Sequence, residues 1–243
     1  MGIKYQQNYQ VPFYESDAFK KMRISSLLAV ALQISGEQST ALGRSDVWVF
    51  ERYGLFWAVI EYELTIHRLP EFNEKITIET EATSYNKFFC YRNFSFLDEN
   101  GEVLVEIRST WVLMDKATRK IDRVLDEIVD PYESEKVSKI SRPHKFRKID
   151  EFSDAQKIVY PVRFSALDMN GHVNNAKYYD WAADMVDFEF RKNHQPKHVF
   201  IKYNHEVLYG EEINALMSWE DEVSHHNFND GSTQIEIHWG KIY

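Results

Sequence analysis

Tyr9–Asp17 reads YQVPFYESD and Tyr160–Asp168 reads YPVRFSALD, with Tyr, Val, Phe and Asp recurring at one constant offset. Internal similarity decides architecture ahead of any local reading. Each copy is followed by a helical stripe. In the first half Ile24, Leu27, Leu28, Ala31 and Leu32 share one face, and in the second Ala176, Tyr179, Ala183, Val186 and Phe190 do the same.

Strands follow each helix: LFWAVIEYELTIH (55–67) and EKITIETEATSY (74–85) in the first half, HVFIKYNHEVLY (198–209) and EEINALMSWEDEV (211–223) in the second. The first half continues with FFCYRNFSFLDENGEVLVEIRSTWVLMD (88–115), two strands about a Glu-Asn-Gly turn. The second ends on STQIEIHWGKIY (232–243), where Ile235, Ile237 and Trp239 alternate as a half-buried strand requires. Mixed charge from about Lys116 to Gln156, centred on SEKVSKISRPHKFRK (134–148), reads as a linker over the surface. The expected fold is α+β: a first unit at 1–133, a linker at 134–156 and a second unit at 157–243. Each unit is an antiparallel sheet with one long helix laid on it, and the sheets join across a pseudo-twofold axis.

Composition sets the outer limits. The 14 Tyr, 16 Phe and 6 Trp, against 9 Gly and 6 Pro, favour strands over loops. The single Cys90 excludes an intramolecular disulfide framework and a multi-cysteine metal site, and fits a reducing compartment. No run approaches the ~18 apolar residues of a membrane span, and MGIKYQQNYQVPFYESD lacks a signal's apolar core, so a soluble cytoplasmic protein is expected. Gln6 stands where a myristoylation motif takes Ser or Thr. A net charge of −9 argues against a nucleic-acid surface.

The second repeat opens into LDMNGHVNN (167–175), an acid, three amides and a histidine just before an apolar helix. A helix start offers N–H groups without intrahelical partners and favours negative charge. An oxyanion forming on a carbonyl could be held there and by an Asn side chain, while a carboxylate and His172 move a proton or activate water; that is the outline of acyl transfer or hydrolysis. The plainer alternative is that Asp168 and Asn170 make Asx turns, His172 fills a polar gap, and Asn174 or Asn175 caps the helix. The first copy keeps Asp17 but has Phe19 and Lys21 in place of Asn170 and His172. One working site and one adapted half would explain that asymmetry.

LDMNGHVNNAKYYDW (167–181) resembles the active-site segment of acyl-acyl-carrier-protein (acyl-ACP) thioesterases, Asp-x-Asn-x-His-x-Asn-Asn before an aromatic-rich helix. Residues 41–82, with their Trp strand and Pro-x-aromatic turn, and 101–121, with Ser-x-Trp-x-x-x-Asp, resemble the family's first half. The resemblance implies a double hotdog fold and hydrolysis of the thioester joining a fatty acyl chain to the phosphopantetheine arm of acyl carrier protein, ending chain elongation.

It also implies catalytic positions at Asp168, Asn170 and His172, with Glu206 on the strand IKYNHEV (201–207). Substrate is expected at Asn174 and Asn175, and the acyl tail along Val47, Trp48, Phe50, Tyr53 and Phe56, although ordinary core is the commoner role for any one of these five. Asp168 or Glu206 would activate water or attack directly. Plant members carry Cys after the Glu; here it is Val207, so no thiol nucleophile is available by motif. They also carry a transit peptide, not found here, so the chain resembles a bacterial member.

Acidic carrier protein calls for a basic patch, either Lys20, Lys21 and Arg23 or Arg142, Lys145, Arg147 and Lys148. No cofactor or metal is expected: His205-Glu206 opens His-Glu-x-x-His, but Tyr209 fills the last position. An acyl-CoA thioesterase and a non-catalytic acyl-binding or sensing protein are the alternatives, and homodimerisation stays open.

Overall fold

Period-two alternation commits the long stretches that follow each helix to strands. The computed structural model describes residues 2–138, 143–148 and 155–242. β1 (Lys4–Gln10) leads through a 3₁₀ turn (Phe13–Glu15) to α1 (Ile24–Ala41) and α2 (Asp46–Tyr53). β2 (Leu55–Ile66), β3 (Lys75–Tyr85), β4 (Cys90–Leu97) and β5 (Val103–Asp115) follow, then short β6 (Ile121–Asp122), α3 (Asp126–Val129) and β7 (Glu135–Lys136). The second half comprises β8 (Gln156–Pro161), a 3₁₀ turn (Phe164–Ala166), α4 (Asn175–Asp184), α5 (Phe188–Asn193), β9 (His194–Tyr203), β10 (Glu212–Glu220), β11 (Val223–Phe228) and β12 (Thr233–Lys241).

The strands form one sheet in the order β1-β3-β4-β5-β2-β9-β12-β11-β10-β8, with β6 on β5 and β7 on β3. The order is the same read inward from either end, the pseudo-twofold expected from the repeat. Its axis passes through the β2–β9 junction, an antiparallel ladder from Glu61↔Lys202 to Thr65↔His198. α1 lies in the curve of the first half with Leu27, Leu28, Ala31 and Ile34 buried against Leu64, Ile78, Phe94 and Ile107. α1 also packs on α4, so one apolar core spans both halves. This is the double hotdog. A smaller cluster of Val49, Leu55, Tyr85, Leu113, Ile128 and Val129 lies beside it.

Three expectations are corrected. The stripe from Ala176 to Phe190 is not one helix: α4 ends at Asp184, where the Met185 and Val186 N–H groups take tighter bonds to Ala182 and Ala183. Asp187 then caps α5, its Oδ1 accepting from Phe190 N at 3.0 Å, a local bond that competes with helix continuation. The strand 198–209 instead starts at His194 and ends at Tyr203, because Asn204 and His205 turn away to donate their N–H groups to the Ser232 carbonyl. Glu206 therefore sits in a loop.

The mixed-charge stretch does not begin at Lys116 as linker: Ile128, Val129 and Tyr132 are buried, and Tyr132 Oη donates to Ser39 Oγ at 2.7 Å. Within the expected linker, residues 139–142 and 149–154 lie outside the described residues. His144 stacks on Phe200 at 3.8 Å and reaches Glu236. β11 has no counterpart in the sequence reading. No helix among the described residues is long and apolar enough to cross a membrane.

Candidate active site

Both copies of the repeat fold into the same loop. Asp17 Oδ1 accepts from Phe19 N and Lys21 N, each at 2.9 Å. Asp168 Oδ1 accepts from Asn170 N at 2.8 Å and His172 N at 3.3 Å. The Asp N–H closes each loop, onto Lys21 O in one and His172 O in the other. Both loops need a left-handed residue at the turn, met by Lys20 (φ 62) and Gly171 (φ 80). Asp168 is thus a brace for the backbone, as the Asx-turn alternative has it, and Asp17 does the same beside a Lys21–Glu71 ion pair. The halves differ in what the braced loop presents.

In the second half it presents His172. The loop is pinned to the segment after β9 by a β-bridge between His172 and Leu208 and by Val173 N–H donating to Val207 O. That pinning brings Glu206 Oε2 to 3.5 Å from His172 Nε2. Arg119, from the turn after β5, pairs with the same Glu206 oxygen and lies over the Phe56 ring, 5.0 Å from its centre. Asp115 builds that turn, accepting from Thr118 N and Oγ1, bonds that hold its carboxyl below the usual range. Arg119 escaped the sequence reading. Its neighbours Asp115 and Thr118 foretell a turn but not which cation would cross to the other half.

Of the helix-start groups, Asn174 Oδ1 caps α4 by accepting from Ala176 N at 2.9 Å, which removes that N–H from oxyanion duty. The Asn175 carbonyl accepts from Tyr203 Oη at 2.8 Å. Asn170 is exposed at the rim.

Asp168, Asn170, His172, Asn174, Asn175, Arg119 and Glu206 all border one cavity of about 1510 Å³. It runs from this rim past Trp57, Val59, Ile60 and Tyr178 and along α1 to Cys90 and Tyr132. Of the residues expected along the acyl tail, Val47 and Phe56 border it. Trp48, Tyr53 and Phe50 do not: Trp48 and Tyr53 pack on the smaller cluster, and Phe50 lies under the Lys116 ammonium at 4.4 Å.

Cys90 lines the cavity but burial pushes its thiol up to about 12, outweighing the nearby Arg92, so it is no thiolate at neutral pH. His205 also borders the cavity, whereas His225 and His226 lie on β11, turned to Glu236 and Ser224. In the first basic cluster Lys21 pairs with Glu71, and Arg23 donates to the Ser16 carbonyl. In the second Arg142 lies outside the described residues and Arg147 reaches Glu220 at 3.8 Å.

The acyl-ACP thioesterase N-terminal domain model matches residues 2–132 and the C-terminal domain model residues 149–241. A chloroplastic oleoyl-acyl carrier protein thioesterase of Coriandrum sativum is 24% identical over 234 residues, 90% of this chain and 63% of its own. A chloroplastic palmitoyl-acyl carrier protein thioesterase of Gossypium hirsutum is 24% identical over 248 residues, 95% and 58%. The chain spans from about half to two thirds of the length of the curated relatives it matches. A Lactobacillus plantarum structure assigned as an oleoyl thioesterase is 31% identical with a TM-score of 0.93, covering 100% of this chain and 98% of its own. An acyl-ACP thioesterase from Bacteroides thetaiotaomicron shares the fold, at 18% identity and a TM-score of 0.84 over 98% of each chain. Two family domains in tandem, one on each arm of the sheet, leave a single conclusion: this chain belongs to the acyl-ACP thioesterase family.

Proposed function

We propose that the protein hydrolyses the thioester between a fatty acyl chain and acyl carrier protein, releasing the free fatty acid. The observation that carries this is the meeting of His172, Glu206 and Arg119 at the rim of a cavity walled largely by apolar groups. Residues 1–133 would hold the acyl chain, and 157–243 would supply the chemistry. The half-buried single cysteine fits a cytoplasmic setting.

In this reading Glu206, steadied by Arg119 and in reach of His172, activates a water that attacks the thioester carbonyl. The water oxygen bonds to the carbonyl carbon, and its proton passes to the Glu206–His172 pair. The Asn170 amide at the rim holds the developing oxyanion. Collapse breaks the carbon–sulfur bond, and His172 returns the proton to the departing thiolate. Asp168 holds the loop; its equivalence to Asp17 supports assigning the base to Glu206. Direct attack by Glu206 is a second route, distinguished by single turnover in labelled water: label in a protein carboxylate supports attack, and label only in the fatty acid supports the water mechanism.

The testing experiment measures thiol release from matched acyl-ACP and acyl-CoA substrates. Faster turnover of the carrier protein substrate, abolished in Glu206→Gln and His172→Ala, is expected. Equal or greater use of acyl-CoA replaces the carrier assignment. Acyl binding with no turnover on either overturns hydrolysis and leaves a binding protein.

A further inference from the structure

The inward face of β4 alternates Cys90, Arg92, Phe94 and Phe96, which sets a guanidinium where the core pattern asks for another apolar side chain. Arg92 is only 8% exposed. Its Nη1 donates to Gln38 Oε1 of α1 at 2.5 Å and to Thr80 Oγ1 at 3.0 Å, and its guanidinium lies 5.4 Å from the Tyr132 ring centre. The buried polar side chains about it, Ser39, Thr80, Ser109 and Tyr132, include no acid. Among the described residues no carboxylate pairs with Arg92, and its Nε and Nη2 have no protein acceptor. Asp46 borders the same cavity, yet burial pushes its carboxyl up, the direction expected of an acid no cation compensates.

A guanidinium does not discharge, and a buried charge is ordinarily paired. Arg92 lines the cavity that carries His172 and Glu206 at its rim. Arg92 pairs with Ser109, Ser109 with Tyr62 and Tyr62 with Ile201, so three interstrand gaps, roughly 14 Å along the sheet, separate it from β9, the strand that leads into Glu206.

The geometry points to a polar subsite deep in this cavity, in which Arg92 takes an acceptor oxygen carried by the acyl chain remote from the thioester. The favoured acyl groups are then oxygenated toward the tail, with a hydroxyl, keto or carboxylate function, rather than plain hydrocarbon. This rests on the cavity being the acyl site of the proposed hydrolase. Carboxylate would pair with the charge outright, and a hydroxyl or keto oxygen would accept a charge-assisted hydrogen bond.

The test separates binding from turnover. Acyl-pantetheine analogues with nitrogen in place of the thioester sulfur cannot turn over readily and have a neutral head; Trp57 and Trp111, both on the cavity wall, report their binding by fluorescence. At matched length, ω-hydroxy and ω-carboxy analogues are expected to bind about tenfold or more tighter than the methyl-ended one. That advantage should vanish in Arg92→Met and persist in part in Arg92→Lys. Equal or tighter binding of the methyl-ended analogue by the unaltered protein overturns the subsite, whether or not the variants fold. So does an oxygen advantage that survives Arg92→Met. Thiol release from the matching acyl-ACPs keeps the two readings apart: an oxygen preference in binding with no turnover overturns the hydrolase alone, and turnover that prefers plain chains overturns the subsite alone.

Discussion

Asp17 and Asp168 brace the same turn, yet only Asp168 stands beside a His–Glu pair. Each accepts two backbone N–H bonds, so Asp17→Ala and Asp168→Ala should each cost about 1–3 kcal/mol of stability. Thermal unfolding with thiol-release assays checks the contrast: Asp17→Ala keeps its turnover and Asp168→Ala loses it. Comparable activity in both would mean Asp168 does not support the chemistry. Arg119→Gln should lower kcat roughly 10- to 100-fold, the worth of a charge-assisted bond that aims Glu206, with KM nearly unchanged and Arg119→Lys intermediate. A KM effect alone would make Arg119 a substrate contact. Asp168, Asn170 and His172 could be proposed from the sequence because they are contiguous in one motif. Arg119 could not, because its meaning arises only where the turn after β5 meets the loop after β9, a contact between halves that no local pattern encodes.

β11 shows why an element escapes the sequence. In VSHHNF polar and apolar residues do not alternate, and Ser224, His225, His226 and Asn227 are nonetheless all buried. Ser224 Oγ accepts from Trp239 Nε1 at 2.9 Å and lies 3.0 Å from His226 Nε2, inside a pocket with no water-facing side. Burial, with His225 adding repulsion, pushes His226 down to about 3. The unfolded chain, with a histidine near 6.5, binds that proton first, so stability is lost as pH falls from about 6.5 toward 3. Glu236 adds to the loss lower down. Burial would raise its carboxyl, but bonds from His144, His225 and His238 prevail and hold it well below the usual range, a contribution present above about 4.5 and lost beneath it. Melting temperature measured against pH should show this slope, with a flatter upper part in His226→Gln; an unchanged slope would assign it elsewhere. The long strands and α1 were legible from period alone, whereas the ends of β9 and α4 were set by single side-chain and carbonyl bonds at Asn204 and Asp187.

At the scale of the molecule the repeated segment foretold two like halves, and the matching strand order bears that out. Which strands would join the halves was not legible, since β2 and β9 carry the same pattern as their neighbours. Because a single core holds α1 and α4 together, denaturant unfolding should follow one transition by both fluorescence and circular dichroism. Two separated transitions would show that each half holds its own core. The β2–β9 ladder also has a meaning in time. A chain leaving the ribosome at about 5–20 residues per second completes the first half seconds before His194–Tyr203 appears. For that interval β2 is a bare edge, the kind that captures stray strands. Glu61 and Glu63 line it; a second nascent copy pairing about Tyr62 would set glutamate against glutamate, and the strand that answers Glu61 with Lys202 is the one still to be made.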